Sequence, residues 1–452
     1  MLHTLPIHTS GSAPFDAALR RLAQRGGADL EVVAPAVREI LAAVRAEGDA
    51  AVRRYIERFE QRSAGELVRH AFDGAAALGR LEASHPGLGE GLRLAAERIE
   101  RFHRRQWQAE LAHASFRYDE DGIRLGVRTR PIARVGVYAP GGKARYPSTV
   151  LMSAIPARIA GVKEIVLATP APDDRLLAAA HLAGVTTLLD AGGAHAIAAL
   201  AYGTASLPRV DKIVGPGNAY VACAKKLVFG DVAIDSIAGP SEILVLADAG
   251  ADAALVAADL LSQAEHDEAA YAVLVTTSSA LAEAVAGEVE AQLARLSRRD
   301  IAGASIRDHG VILVVPSEDR LVEVAELIAA EHVAFHVAEP ERVMDRIGAI
   351  GAALLGAFTP VAVGDYLAGP SHVLPTGGGV RFGSPLGVHD FVVRSSVLRY
   401  SAEALRRQGA TVALLARAEG LEAHALAVEA RLRPGHEGGI PRAGVNKPQS
   451  GA

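Results

Sequence analysis

Apolar residues recur every three to four positions through residues 32–106, in "VREILAAVRAEG", "DAAVRRYIERFE" and "LGEGLRLAAERIERFHRR", with Arg and Glu between them. That period predicts amphipathic helices. From about residue 133 short strand-like runs such as "ARVGVYAP", "EIVLATP", "TTLLD" and "VDKIVG" alternate with helical ones. The alternation returns after residue 240 in "EILVLAD", "YAVLVTTS", "ALAEAVAGEVEAQLARL" and "HGVILVVP". Such alternation is the mark of parallel α/β architecture. The expected fold is α/β, with two incomplete Rossmann-like domains and small N-terminal and C-terminal helical segments. The expected boundaries are an N-terminal arm at 1–28, a discontinuous first α/β domain at 29–137 and 241–386, and a second at 138–240. A small C-terminal domain at 387–452 would follow, with a Gly- and Pro-rich flexible tail from about 433.

One helix ends oddly. "DAALVAADLLSQAEHD" predicts a helix capped by Asp252, with Leu255, Ala258, Leu261 and Ala264 as its apolar stripe. It then turns polar at Gln263, Glu265, His266 and Asp267. Gln263 and His266 are three apart and share a helical face. Three other places pair a histidine with a carboxylate: Glu331 and His332 in "AAEHV", Asp365 and His372 in "VGDYLAGPSHVLPT", and Glu419 and His424 in "AEGLEAHA". Imidazole nitrogens with amide and carboxylate oxygens suit zinc or a similar divalent ion. Each pair is equally readable as a solvated helix end or a turn, and spacing alone leaves both open.

Glycines follow strands in "VYAPGGKARYPS" (Gly141, Gly142) and "VDKIVGPGNAYV" (Gly215, Gly217). A glycine turn opening a helix can hold phosphate through free N–H groups. Neither turn completes Gly-x-Gly-x-x-Gly, since Tyr220 stands where the third glycine would fall, and neither is a Walker loop. Plain strand-to-helix turns remain the alternative. Ser241, after Gly-Pro, is either a turn residue or one leaning into a cleft.

Composition narrows the class. The chain has 452 residues, half of them hydrophobic, and a net charge of −5. That length implies more than one domain. The charge gives no reason to expect nucleic acid. The single cysteine, Cys223, excludes internal disulfides and cysteine zinc fingers and reads as a small core residue. No signal-peptide pattern or spanning apolar run is present, so no membrane partner and a cytoplasmic location are expected.

The block "IDSIAGPSEILVLADAGADAALVAADLLSQAEHD" resembles the signature of histidinol dehydrogenases. "RVGVYAPGGKARYPSTVLMSAIPARIAGV", "VDKIVGPGNAYVACAKKLVFG", "GDYLAGPSHVLPT" and "AEGLEAHA" match further family blocks in order, over about residues 30–430. The resemblance implies a zinc enzyme oxidising L-histidinol to L-histidine with two NAD+, through the aldehyde. It implies one zinc ion per subunit, on Gln263, His266, Asp365 and His424. His332 resembles the base for hydride transfer and Glu331 the base that activates water. Ser241, His372 and Glu419, with His332 and the metal ligands, match substrate contacts. Tyr138, Asn218 and the position of His195 match NAD contacts. The metal and catalytic residues then belong to the first α/β domain and NAD to the second. The family also implies a homodimer whose C-terminal domain reaches into the partner's site.

The chain departs from the family at three places. "AAEHV" replaces Ala-Pro-Glu-His-Leu, and loss of that proline is expected to loosen the turn before Glu331. His195 stands where glutamine is common, and "TPVAVGDY" lacks Glu-Ser after Thr-Pro. Rival readings are a related zinc and NAD enzyme acting on another small alcohol such as a sulfonated propanediol, a metal-dependent hydrolase, and a non-catalytic metal-binding scaffold. Glu419 suits a substrate amine, the glycine turns have no purpose in a hydrolase, and a scaffold would not need Glu331 and His332.

Overall fold

In a computed structural model, the described residues are 5–25, 28–63, 65–141, 145–433. They form two compact units. The first comprises residues 1–110 and 131–392, the second 111–130 and 393–452.

The first unit contains two six-stranded sheets. One runs in the order Val68–Arg69, Thr187–Leu189, Glu164–Ala168, Arg134–Tyr138, Lys212–Val214, Ala233–Ile234. All neighbours are parallel except the first pair. The other runs Ile7–Thr9, Val311–Val314, Tyr271–Thr276, Glu242–Ala247, His332–His336, Ala352–Leu355, with every pair parallel. Setting aside the edge strands Val68–Arg69 and Ile7–Thr9, both have the strand order 3-2-1-4-5 of a Rossmann fold without its sixth strand. The strands Glu242–Ala247, Val311–Val314 and His332–His336 are buried along their whole length and, apart from Glu242, His332 and His336, apolar, because helices cover both faces.

Packing draws the domain boundaries differently from the sequence. The helices from Ala28–Glu47 to Leu88–Glu110 pack on the 134–234 sheet, through Val37, Leu41, Val52, Leu81 and Ile99. They do not share a core with the 242–355 sheet, with which the 29–137 assignment had grouped them. The arm instead adds a strand to that second sheet and lays Phe15, Leu19 and Leu22 against it. Period alone cannot say which of two similar sheets an amphipathic helix will cover.

The second unit is small. Phe116–Glu120 and Ile123–Pro131 form a hairpin across Asp121 and Gly122, whose φ values of 49° and 79° match the twist of a tight hairpin. Val392–Tyr400 completes the sheet, and Ala402–Ala418 packs on Glu422–Leu432. The expected 387–452 domain therefore begins at 393 and recruits 111–130. Its tail from 434 lies outside the described residues, as does Gly142. No helix among the described residues is long and apolar enough to cross a membrane.

Candidate active site

The two sheets contribute opposite ends of their strands. Tyr138 and Gly215 stand at the C-terminal ends of adjacent strands of the first sheet, at the topological switch point where such folds bind ligands. Ser241, Glu331 and His332 stand at the N-terminal ends of adjacent strands of the second. One cleft is lined by Gly215, Pro216, Ser236, Ser241, Glu331, His372 and Thr376.

Glu331 and His332 are buried at the head of the strand His332–His336. His332 Nδ1 lies 3.2 Å from the Glu242 carbonyl oxygen and 3.5 Å from Glu331 Oε2. A proton on Nδ1 satisfies that carbonyl and leaves the Nε2 lone pair free, 4.0 Å from Asp365 Oδ1. Burial disfavours the His332 cation, but the Glu331 carboxylate, and then Asp365, more than offset it and push the group up to about 9. Burial raises Glu331 above the usual carboxyl range, with His332 opposing it. Asp365 sits in the short helix Val361–Tyr366, which packs against the helix Ala253–Ala264. His372 Nδ1 donates to the Asp365 carbonyl oxygen at 2.9 Å, and Nε2 meets the Thr149 hydroxyl at 3.3 Å. Burial holds His372 below the ordinary imidazole range.

The helix Ala253–Ala264 is capped by Asp252, as its sequence predicts. Its buried face is Val256, Ala257, Leu260, Leu261 and Ala264, while Leu255 is 41% exposed and Ala258 exposed too. The predicted stripe is thus rotated, because "ALVAADLL" is apolar nearly all round and its period does not fix a phase. Gln263 is 2% exposed, and its Oε1 has no hydrogen-bond partner. An orphaned buried amide oxygen is costly. A cation is the partner it lacks, so the donor set fits a metal at this point. His266 follows two residues beyond the helix end, half-buried. Glu419 and His424 flank the single turn at Gly420 between the two helices of the second unit, and both are exposed. Among the described residues no three His, Cys, Asp or Glu side chains gather closely enough to hold a metal by themselves.

At the first sheet, Asn218 caps the helix Ala219–Val228, its Oδ1 accepting the Tyr220 and Val221 amides. That helix start is where a phosphate would meet free N–H groups. Gly215 has φ +110°, and a Cβ there would lie 2.2 Å from the Tyr138 carbonyl oxygen. The Tyr138 hydroxyl accepts the Gly193 amide at 3.0 Å, and burial pushes its pKa up to about 12. His195, expected at the cofactor, is buried against Tyr55 and Phe59 with Nε2 3.2 Å from Glu60. Glu60 also accepts the Gly192 amide. His195 therefore braces the Gly192–Gly193 turn through Glu60.

The sequence reading passed over several buried polar groups beside these residues. Lys225 donates to the Gly215 carbonyl and pairs with Asp235. His336, four residues along the strand from His332, pairs with Asp259, four residues before Gln263, at 2.8 Å. Glu242 opens a strand that is otherwise aliphatic. A charge in so apolar a run was the available signal in each case.

Known proteins resemble this chain over nearly its whole length. The histidinol dehydrogenase family profile matches residues 23–432. The chain is 48% identical over 431 residues to the histidinol dehydrogenase of Geobacter sulfurreducens, covering 93% of this chain and 98% of that protein. It is 49% identical over 414 residues to that of Aquifex aeolicus, covering 91% and 96%. The solved histidinol dehydrogenase of Elizabethkingia anophelis superposes with a TM-score of 0.85 at 32% identity, covering 96% of this chain and 98% of that one. The chain belongs to the histidinol dehydrogenase family.

Proposed function

We propose that this protein oxidises L-histidinol to L-histidine with two NAD+ and one zinc ion per subunit. The observation that carries the reading is the buried Glu331–His332 pair, with His332 Nε2 4.0 Å from Asp365 Oδ1 and Glu331 lining a cleft with Ser241 and His372. Gln263, His266 and Asp365, with His424 of the partner subunit, would hold the zinc. When bound, the ion positions the substrate's imidazole and amine.

His332 Nε2 takes the hydroxyl proton as the carbinol hydride leaves to NAD+, giving the aldehyde. Glu331 then takes a proton from the water that adds to the aldehyde carbon, while protonated His332 returns its proton to the aldehyde oxygen, giving the hydrate and freeing His332 to act again. A second hydride passes to a second NAD+, His332 again takes the hydroxyl proton, and the carboxylic acid so formed releases its proton to solvent as the carboxylate. Ser241, His372 and Glu419 hold the substrate, and Glu419 suits its ammonium group. Tyr138 and Asn218 flank NAD at the Gly215–Pro216–Gly217 turn, with His195 supporting the Gly192–Gly193 turn behind it.

The active form is a homodimer. The second unit exposes Leu398, Leu414 and Leu415, each more than 60% accessible in the single chain. A small domain with so much open aliphatic surface calls for a partner.

The test is the NADH yield per mole of L-histidinol, with zinc-loaded protein and excess NAD+. About two is expected from two successive proton-coupled oxidations. No NADH from a zinc-bound, dimeric protein would sink the substrate assignment.

A further inference from the structure

An unpaired buried carboxylate is among the costliest features a fold can carry. Glu242 is 3% exposed at the head of the strand Glu242–Ala247, and its partner is Arg25, equally buried. The pairing is a two-pronged fork: Arg25 Nε donates to Oε1 at 2.7 Å and Nη2 to Oε2 at 2.6 Å. The remaining acceptor positions of that carboxylate take backbone amides. Gly377 donates to Oε1 at 2.8 Å and Glu331 to Oε2 at 3.3 Å. The Glu242 amide in turn donates to Glu331 Oε2 at 2.9 Å, and the Glu242 carbonyl oxygen faces His332 Nδ1.

Arg25 also reaches the other side of the same bend. Its Nη1 donates to the Ile328 carbonyl at 2.7 Å and its Nη2 to Ala329 at 3.3 Å. Ile328 ends the helix Glu318–Ile328, and Ala329 is its left-handed cap at φ 49°. These are carbonyls that a helix end leaves without partners. One guanidinium therefore grips the helix end before the bend and, through Glu242, the Glu331 amide after it. The bend that lacks the family's proline at Ala330 is fastened from outside.

We infer that Arg25 and Glu242 are positioning residues for the reaction. They fix where the Glu331 carboxylate points and which nitrogen of His332 carries the proton, without touching substrate. This rests on the reading of Glu331 and His332 as the proton-transfer pair. Arg25 supplies the planar fork that lysine cannot, and Glu242 supplies acceptors on both oxygens that glutamine cannot.

The experiment compares full-length, zinc-loaded wild type with Arg25→Lys, Glu242→Gln and the double variant Arg25→Met/Glu242→Gln. For each, kcat, KM for L-histidinol, zinc content and thermal midpoint are measured. Each single variant is expected to lose at least about 10-fold in kcat, with KM changed less than about twofold and zinc retained, because small misplacements of catalytic groups are costly. The double variant, which leaves no buried charge unpaired, is expected to regain thermal stability but not kcat. That split separates positioning from mere structural support. A stable double variant, or Arg25→Lys, with kcat within about twofold of wild type would overturn the inference, since geometry and not burial is what is claimed. If Glu242→Gln fails to fold, Arg25→Lys decides, because it keeps the charge. The wild-type control separates the two readings. Wild type inert toward L-histidinol overturns the substrate assignment, whereas active wild type with equally active variants overturns the positioning role.

Discussion

In the proposed mechanism His332 works as a base only when Nε2 is unprotonated. Its neighbours push it up to about 9, so the protonated form prevails below that pH and the base-competent form above it. kcat/KM for L-histidinol is therefore expected to rise with pH and level off near 9, and His332→Gln should flatten the profile. A profile unchanged in that variant would remove His332 from the role. Glu331→Gln should stall hydration, so that NADH yield falls toward about one per histidinol and the aldehyde accumulates. Gln263 offers a contrary pair of effects. Its Oε1 has no partner in the metal-free chain. Gln263→Met should weaken zinc binding yet stabilise the metal-free protein, by roughly 1 kcal/mol or more, since the unsatisfied oxygen is removed. Equilibrium dialysis with zinc and metal-free melting curves read the two directions. These residue types were legible from sequence, because imidazole beside carboxylate or amide at element ends limits the chemistry. Arg25 was not, since its meaning lies in partners 217 and more than 300 residues away.

At the scale of elements, the glycine turn after Lys212–Val214 depends on a buried pair. Lys225 binds the carbonyl of Gly215, Asp235 accepts its amide, and the two side chains pair with each other. Lys225→Met would strand the Asp235 charge, which is 5% exposed, and should cost about 3–5 kcal/mol on unfolding by urea. A loss no larger than that of an average surface change would show the pair to be incidental. The helix cap at Asp252 was readable, because a short polar side chain before an apolar run has one local use. The face of the helix Ala253–Ala264 was not. It touches strands of the second sheet and neighbouring helices, and only those contacts choose which of its many alanines and leucines are buried.

The whole molecule sets up a division that a single chain shows only in part. The proposed acid–base pair and three of the proposed metal ligands lie in the first unit, and Glu419 and His424 lie in the second. If sites are shared between subunits, inactive His332→Asn and His424→Ala chains should complement when co-expressed. Half the dimers would be mixed, each with one intact site, giving about a quarter of the wild-type rate. Activity no greater than the sum of the separate variants would contradict shared sites. The sequence by itself determined the α/β class, through short apolar runs alternating with segments of helical period, and the residues able to do acid–base and metal chemistry, through their side-chain types. Tertiary structure decided which sheet each N-terminal helix covers, that the two sheets meet the cleft with opposite strand ends, and that His195 turns to Glu60. It also decided that Arg25 joins Glu242. The reason is physical: periodicity and side-chain chemistry are local properties, whereas burial and pairing belong to whatever the folded chain brings alongside.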